Sequence, residues 1–213
     1  MTQEELNEQL INAARTGKKS IVAEMLASGA DVNTVLTKDN YNDDNYNDTD
    51  EPEDIKVFLG ATSLMFSCAY GYPEIIQILL DHDADINIQY RSGWTALMYA
   101  TWNESYPEIG IYIKKLLKAG ADPNIQDKFN NWTALMNLAI WSGDTDLMET
   151  LVEAGADINA KNNDGQTALD ILKNEYPEKH SQWISSMVRQ VKRETLRQED
   201  TAHAGRCEPD FDI

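Results

Sequence analysis

An all-α solenoid of stacked helix-turn-helix units joined by finger-like turns is the fold class this sequence predicts. Two short motifs, recurring in register along the 213 residues, carry the prediction. Thr-x-Leu occurs at Thr62-Ser63-Leu64, Thr95-Ala96-Leu97, Thr133-Ala134-Leu135 and Thr167-Ala168-Leu169, with successive threonines 33, 38 and 34 residues apart. Ala-Asp-x-Asn occurs at Ala30-Asp31-Val32-Asn33, Ala84-Asp85-Ile86-Asn87, Ala121-Asp122-Pro123-Asn124 and Ala156-Asp157-Ile158-Asn159, with aspartates 54, 37 and 35 apart. Between the motifs lie apolar residues at helical spacing. A period of this length marks a repeat architecture, in which no unit can bury its apolar face without neighbours.

Each element has a local reason. The motif threonine suits the N-cap of a first helix whose apolar face holds the following leucine and Met65, Met98 or Met136. A second helix is expected to start at Tyr72-Pro73-Glu74 and at Tyr106-Pro107-Glu108, since proline fits a first turn and glutamate complements the positive end of the helix dipole. Its core face follows at Ile75, Ile76, Leu79 and Leu80, then at Ile113, Leu116 and Leu117, then at Leu147, Met148, Leu151 and Val152. Gly29, Gly120 and Gly155 supply the left-handed backbone that ends these helices, with Asp83 in that place in the second unit. The first unit has no Thr-x-Leu and reads as a cap, starting at Glu4-Glu5-Leu6 with Leu10, Ala13, Ala14, Ile21, Val22, Met25 and Leu26 facing inward. At the other end Trp183, Ile184, Met187, Val188 and Val191 form an apolar stripe, and Arg189, Lys192, Arg193 and Glu194 form a solvated face opposite it.

These features together resemble the ankyrin-repeat family, over roughly residues 5 to 190. The family's Thr-Pro-Leu-His is here Thr-Ser-Leu-Met, Thr-Ala-Leu-Met (twice) and Thr-Ala-Leu-Asp, so its proline and histidine are lost and looser early turns are expected. The resemblance implies one repeat domain over residues 1–197, with units at about 4–33, 60–92, 93–130, 131–164 and 165–197, an acidic finger insertion at 34–59, and a flexible tail at 198–213. It implies a protein-binding role rather than catalysis. Small stand-alone members of the family act in bacteria as inhibitors or immunity proteins of toxins and effectors.

Two units depart from the period. The first aspartate spacing exceeds 33 by 21, and residues 39–54 hold eight acidic and no basic side chains among Tyr41, Tyr46 and four asparagines. Such a stretch cannot build its own core, and it reads equally as a partner-binding acidic arm, with Asp43, Asp44, Asp48 and Asp50, or as a tolerated surface loop. Asp43, Asn45, Asn47 and Asp54 have the spacing of calcium-loop positions 1, 3, 5 and 12, but Asp48 stands where that loop needs glycine, which argues against a metal site. In the third unit Thr95 and Asp122 are 27 residues apart against 23 for Thr62 and Asp85; the four added residues are expected to be one before Tyr106 and three in the second helix.

Composition narrows the function. A formal charge of −18, from 36 acidic and 18 basic residues, disfavours nucleic acid and anionic membranes and favours a basic protein partner. Cys68 and Cys207 are far apart without metal-ligand spacing, so a reducing compartment is expected. With no apolar leader after Met1, the expected location is cytoplasmic. His82, His180 and His203 lack patterned partners, and no phosphate-cradling loop is present; neither enzyme activity nor a cofactor is predicted. Cys68 reads as a buried, inert thiol.

The binding signal is aromatic. By the family resemblance, Trp94 and Trp132, just before their threonines, lie at finger bases facing a concave groove, and Trp102 and Trp141 near the ends of first helices line it too. Tryptophan is enriched at interface hot spots. Partner contact is expected foremost of Trp94 and Trp132, with Trp102 and Trp141 equally able to pack beneath a neighbouring helix. Tyr70, Tyr90, Arg91, Lys128 and Phe129 extend this surface along the fingers. The expectation is a monomer whose aromatic, acid-rimmed concave face binds a basic protein, the alternative being an adaptor that binds through residues 39–54.

Overall fold

The computed structural model describes residues 1–37, 60–89, 91–102 and 109–186. These residues form helix pairs in sequence order: α1 (Gln3–Arg15) with α2 (Lys19–Ala27), α3 (Ser63–Ala69) with α4 (Pro73–Asp81), α5 (Ala96–Trp102) with α6 (Ile109–Lys118), α7 (Ala134–Trp141) with α8 (Thr145–Glu153), and α9 (Ala168–Glu175) followed by helical residues 177–186. The first helices pack side by side, α1 on α3, α3 on α5, α5 on α7 and α7 on α9, while successive second helices meet more sparsely. A stack packed more closely along one row bends toward that row, so the first helices line the inner side of the curve.

The motif threonines do what their position predicts. Thr62, Thr133 and Thr167 are N-caps, accepting from the backbone N–H of Met65, Met136 and Asp170, and Thr95 accepts from Met98 N–H. With methionine as the fourth motif residue these bonds are long, at 3.3 Å, 3.4 Å and 3.3 Å for Thr62, Thr95 and Thr133. Where aspartate takes that place the cap closes from both sides: Asp170 N–H donates to Thr167 Oγ1 at 3.2 Å, and the Asp170 carboxylate accepts from Thr167 N–H at 2.9 Å and from its hydroxyl at 2.8 Å.

The Ala-Asp-x-Asn motif joins the units. Within each copy the aspartate accepts from the N–H two residues on, as in Asp122 with Asn124 at 2.8 Å and Asp157 with Asn159 at 2.8 Å. Each asparagine then reaches the next unit. Asn33 Oδ1 accepts from Asp85 N–H (2.8 Å), Asn87 from Asp122 (2.9 Å) and Asn124 from Asp157 (2.7 Å). The Asn87 and Asn124 amides also donate to the carbonyls of Gly120 and Gly155. At the amino-terminal end Asn7, in α1, supplies the acceptor for Asp31 N–H at 2.8 Å, completing the series without a preceding unit.

A second ladder runs along the fingers. The Gln89 amide donates to Gly93 O at 2.7 Å and across to Gln126 O at 2.9 Å; the Gln126 amide donates to Asn131 O and on to Lys161 O. Lys128 N–H donates to Ser92 O, and Asn163 N–H to Asn130 O. Gly93 sits at φ +80°, and a Cβ there would lie 2.6 Å from the Lys128 nitrogen, so this approach of finger to finger excludes any side chain.

Asp83, at φ 58°, does take the left-handed helix end that glycine holds at Gly29, Gly120 and Gly155. Trp183 is buried as expected, but Ile184 is 37% exposed and does not join it in the core. Successive residues point about 100° apart around a helix, so both cannot face the stack. Met187, Val188, Val191 and the polar residues opposite them, with the tail, lie outside the described residues, as does the helix start expected at Tyr106-Pro107-Glu108. α6 is described from Ile109, and residues 103–108, where part of the four-residue addition falls, are likewise outside.

Gly93→Ala is expected to cost about 2–4 kcal/mol of unfolding free energy by urea titration, against about 1–2 kcal/mol for Gly120→Ala, where only the backbone angle is strained. The pH dependence of the last cap follows from Asp170, whose carboxyl is held below its ordinary range chiefly by the Thr167 backbone N–H and then by its hydroxyl. Its stabilising contribution is full above the ordinary carboxylate pKa of about 4 and is lost as pH falls through the lowered folded value. Thermal melts from pH 7 downward should show a weaker acid dependence for Asp170→Asn than for the unmodified protein.

Candidate functional site

The inner helices of the second, third and fourth units are α3 (SLMFSCA), α5 (ALMYATW) and α7 (ALMNLAIW), and none carries a charged residue. They are buried almost all round, so their threonine caps and small residues serve the stack, and what emerges at their ends is aromatic. Trp102 is 38% exposed and Trp141 47% exposed. Trp94 and Trp132, expected to be the foremost contact residues, are instead half-buried and packed on the core. The Trp94 ring lies 5.1 Å from that of Tyr99 and meets Trp102 edge-on at 6.3 Å. Exposure is thus greater at Trp102 and Trp141, at the helix ends, than at Trp94 and Trp132, just before the caps.

Other predicted residues fall around this surface. Tyr70 is half-buried, stacked on Phe66 at 6.3 Å with ring planes 3° apart. Arg91 and Lys128 are exposed on adjacent fingers, and Phe129 beside Lys128 is 67% exposed. Tyr90, Asp43, Asp44, Asp48 and Asp50 lie outside the described residues. Among the described residues, acidic side chains lie on the two end first helices, Glu4, Glu5 and Glu8 on α1 and Asp170 and Glu175 on α9, on second helices, as with Glu24, Glu74, Asp146, Glu149 and Glu153, and in the turns at Asp31, Asp83, Asp85, Asp122 and Asp157. In the described finger of the third unit, Asp127 is buried and turns inward, accepting from the N–H groups of Phe129 and Asn130.

Trp141 is held in place from the next unit. Tyr176 donates its phenol proton to Trp141 O at 3.0 Å, its ring covers Gly143, and Lys179 donates to Ser142 O at 2.7 Å while lying 4.6 Å over the Tyr176 ring. A Cβ on Gly143 would come within 2.7 Å of that ring. The signal for this clasp stands in the sequence: Tyr176-Pro177-Glu178 is a third copy of the Tyr-Pro-Glu at residues 72–74 and 106–108, and like the first it begins a helix, at residue 177.

Cys68 is buried in α3 and its thiol is pushed far up by desolvation, the opposite of what a nucleophile requires. Burial also raises the Tyr99 phenol to about 12, against a smaller lowering by its hydrogen bond with Ser92. Among the described residues no group of three histidine, cysteine, aspartate or glutamate side chains is placed to hold a metal ion, and no helix is long and apolar enough to cross a membrane.

Comparison with known proteins agrees with this architecture. A family model described as "Ankyrin repeats (3 copies)" matches residues 10–113 and again 110–176. Among curated proteins, the chain is 31% identical over 106 residues to human "Ankyrin repeat and KH domain-containing protein 1", which covers 50% of this chain and 4% of that protein. It is 32% identical over 115 residues to "Ankyrin repeat and SOCS box protein 6" of Pongo abelii (52% and 27%), and 35% identical over 112 residues to "Putative ankyrin repeat protein L86" of Acanthamoeba polyphaga mimivirus (47% and 19%). The matched regions thus span about a quarter or less of these relatives' lengths.

Native protein should leave Cys68 unmodified by iodoacetamide at pH 8, with labelling appearing only as the stack unfolds in urea; peptide-resolved mass spectrometry follows the site directly.

Proposed function

The chain belongs to the ankyrin-repeat family, and from that premise we propose that it is a non-catalytic protein-binding module whose inner aromatic face grips a partner. The observation that carries the reading is the exposure of Trp102 and Trp141 at the ends of uncharged inner helices. Large rings held open on a rigid support bury much area at little entropic cost. We hold the partner to be a protein with a basic surface, because a charge of −18 draws cations over a distance even where the groove helices carry none. A cytoplasmic monomer that inhibits a basic toxin or effector, as an immunity protein does, suits this chemistry. We take the repeat domain as residues 1–197 and 198–213 as its tail.

A second reading assigns binding to the acidic stretch 39–54. It is favoured by the way the insertion joins the stack: Leu36 N–H donates to Ala61 O at 2.9 Å and Gly60 N–H to Leu36 O at 2.8 Å, so the two ends of the segment are clasped together. Residues 38–59 can then be replaced by a short glycine-containing turn with little change in melting temperature.

Capture of the native partner, measured by surface plasmon resonance after its isolation from the source, separates the two. Trp102→Ala and Trp141→Ala should each weaken binding about tenfold or more while leaving stability nearly unchanged. Shortening 38–59 should have a small effect. Loss of binding on shortening with none on the tryptophan changes would establish the second reading instead.

A further inference from the structure

The tips of the last three fingers carry an ordered set of side chains that neither the stack nor the inner face uses. The chain turns over at residues 91–92, 128–130 and 163–164. Cross-finger bonds fix the order: Lys128 N–H donates to Ser92 O, on the side of the third unit, and Asn163 N–H donates to Asn130 O, on the side of the fifth. Along this edge the exposed side chains are therefore Arg91, Lys128, Phe129, Asn130 and Asp164, with cations at one end, a ring in the middle and an anion at the other. No ion pair engages Arg91 or Asp164 among the described residues. Phe129 is 67% exposed, and the turn beneath holds it there: Asp127 Oδ1 accepts from Phe129 N–H at 3.0 Å and from Asn130 N–H at 2.7 Å, and Phe129 O accepts from the Asn163 amide at 2.8 Å.

The turn has no need of that ring. In the fifth finger Asn162 Oδ1 accepts from Asp164 N–H at 3.0 Å in the same way, and the residue presented at Phe129's position is an aspartate. We propose that this edge docks a second copy of the chain about a two-fold axis passing at Phe129. Such an axis reverses the order of the edge: Arg91 meets Asp164 of the second copy, Lys128 meets its Asn130, and Phe129 meets Phe129. Each pair is complementary, a cation with a carboxylate, an ammonium with an amide oxygen, and ring with ring. The charge of −18 on each copy opposes association elsewhere, so the second copy is drawn to the place where cations and an apolar ring stand together. The three tips are already tied to one another, which spares the cost of ordering loops on contact. They cover less than the roughly 800 Å² per partner of a standard interface, so a dissociation constant on the order of 100 µM is expected. At lower concentration the chain remains the monomer of the protein-binding reading. Trp102 and Trp141 stay free in either state, since they lie at inner helix ends rather than on finger tips.

Sedimentation equilibrium of the full chain, from about 10 µM to about 1 mM at about 0.15 M salt, tests this. The weight-average mass should rise from the 24.1 kDa of one chain toward that of two. Phe129→Ser should weaken association about tenfold at an unchanged melting temperature, because the turn is held by backbone groups that the substitution keeps. Arg91→Glu and Asp164→Arg should each weaken it about tenfold or more, since either homodimer sets two like-charged pairs face to face. An equimolar mixture of these two variants makes both pairs opposite in charge again, as does the double variant, and both should associate as the unmodified chain does. Should Asp164→Arg fail to fold, Asp164→Lys with Arg91→Glu supplies the same exchange. A mass that stays at one chain up to about 1 mM, assembly beyond two chains, dimers indifferent to Phe129→Ser, or no recovery in the charge-exchanged mixture would each overturn the proposal. Any of these would leave the protein-binding reading intact, because capture of a partner through Trp102 and Trp141 is measured separately.

Discussion

The asparagine of each Ala-Asp-x-Asn motif is the joint on which the array depends. Its side-chain oxygen takes the backbone N–H of the next unit's aspartate, at 2.7 to 2.9 Å in the three joints from Asn33, Asn87 and Asn124. Burial alone would hold helix pairs together but would tolerate sliding, because apolar contact is non-directional. A hydrogen bond of fixed geometry at the same place in every unit sets the register, and the register decides which side chains meet at the inner face. The four motif aspartates, Asp31, Asp85, Asp122 and Asp157, are committed first to these turns.

The inner surface follows from how tightly the first helices pack. Helices buried all round have no room for charge, so α3, α5 and α7 carry none, and their polar groups are threonine, serine and one asparagine. Hydroxyls return to their own helix, as Ser67 does to Ser63 O and Thr101 to Met98 O. Asn137 Oδ1 and Ser63 Oγ have no such partner among the described residues.

Much of this was legible in the residues. Period, caps and helix ends follow from local chemistry, and even Asp83 in a left-handed turn could be read from its place in the motif. What was not legible depended on contacts between elements. Trp94 and Trp132 share a motif position and Trp102 and Trp141 share a helix end, yet which pair is open depends on ring packing that spacing does not encode. The distribution of acid was not legible for a different reason: net charge is a sum, and only its division among helices shows that the three central inner ones, α3, α5 and α7, hold none. The helix start beside Tyr176 was signalled by a third Tyr-Pro-Glu, but the packing of the Tyr176 ring over Gly143 was not.

The joint between the first two units closes across 52 residues of sequence at 2.8 Å, between the 2.7 Å and 2.9 Å that its counterparts close across 33 and 35. The stack is therefore blind to how much chain departs between Leu36 and Gly60, provided that it returns to the same place. That makes this finger a natural docking port for foreign sequence: a recognition loop, an epitope or a whole small domain with adjacent termini could be exchanged there as a cassette, while the inner face a few units away keeps its geometry.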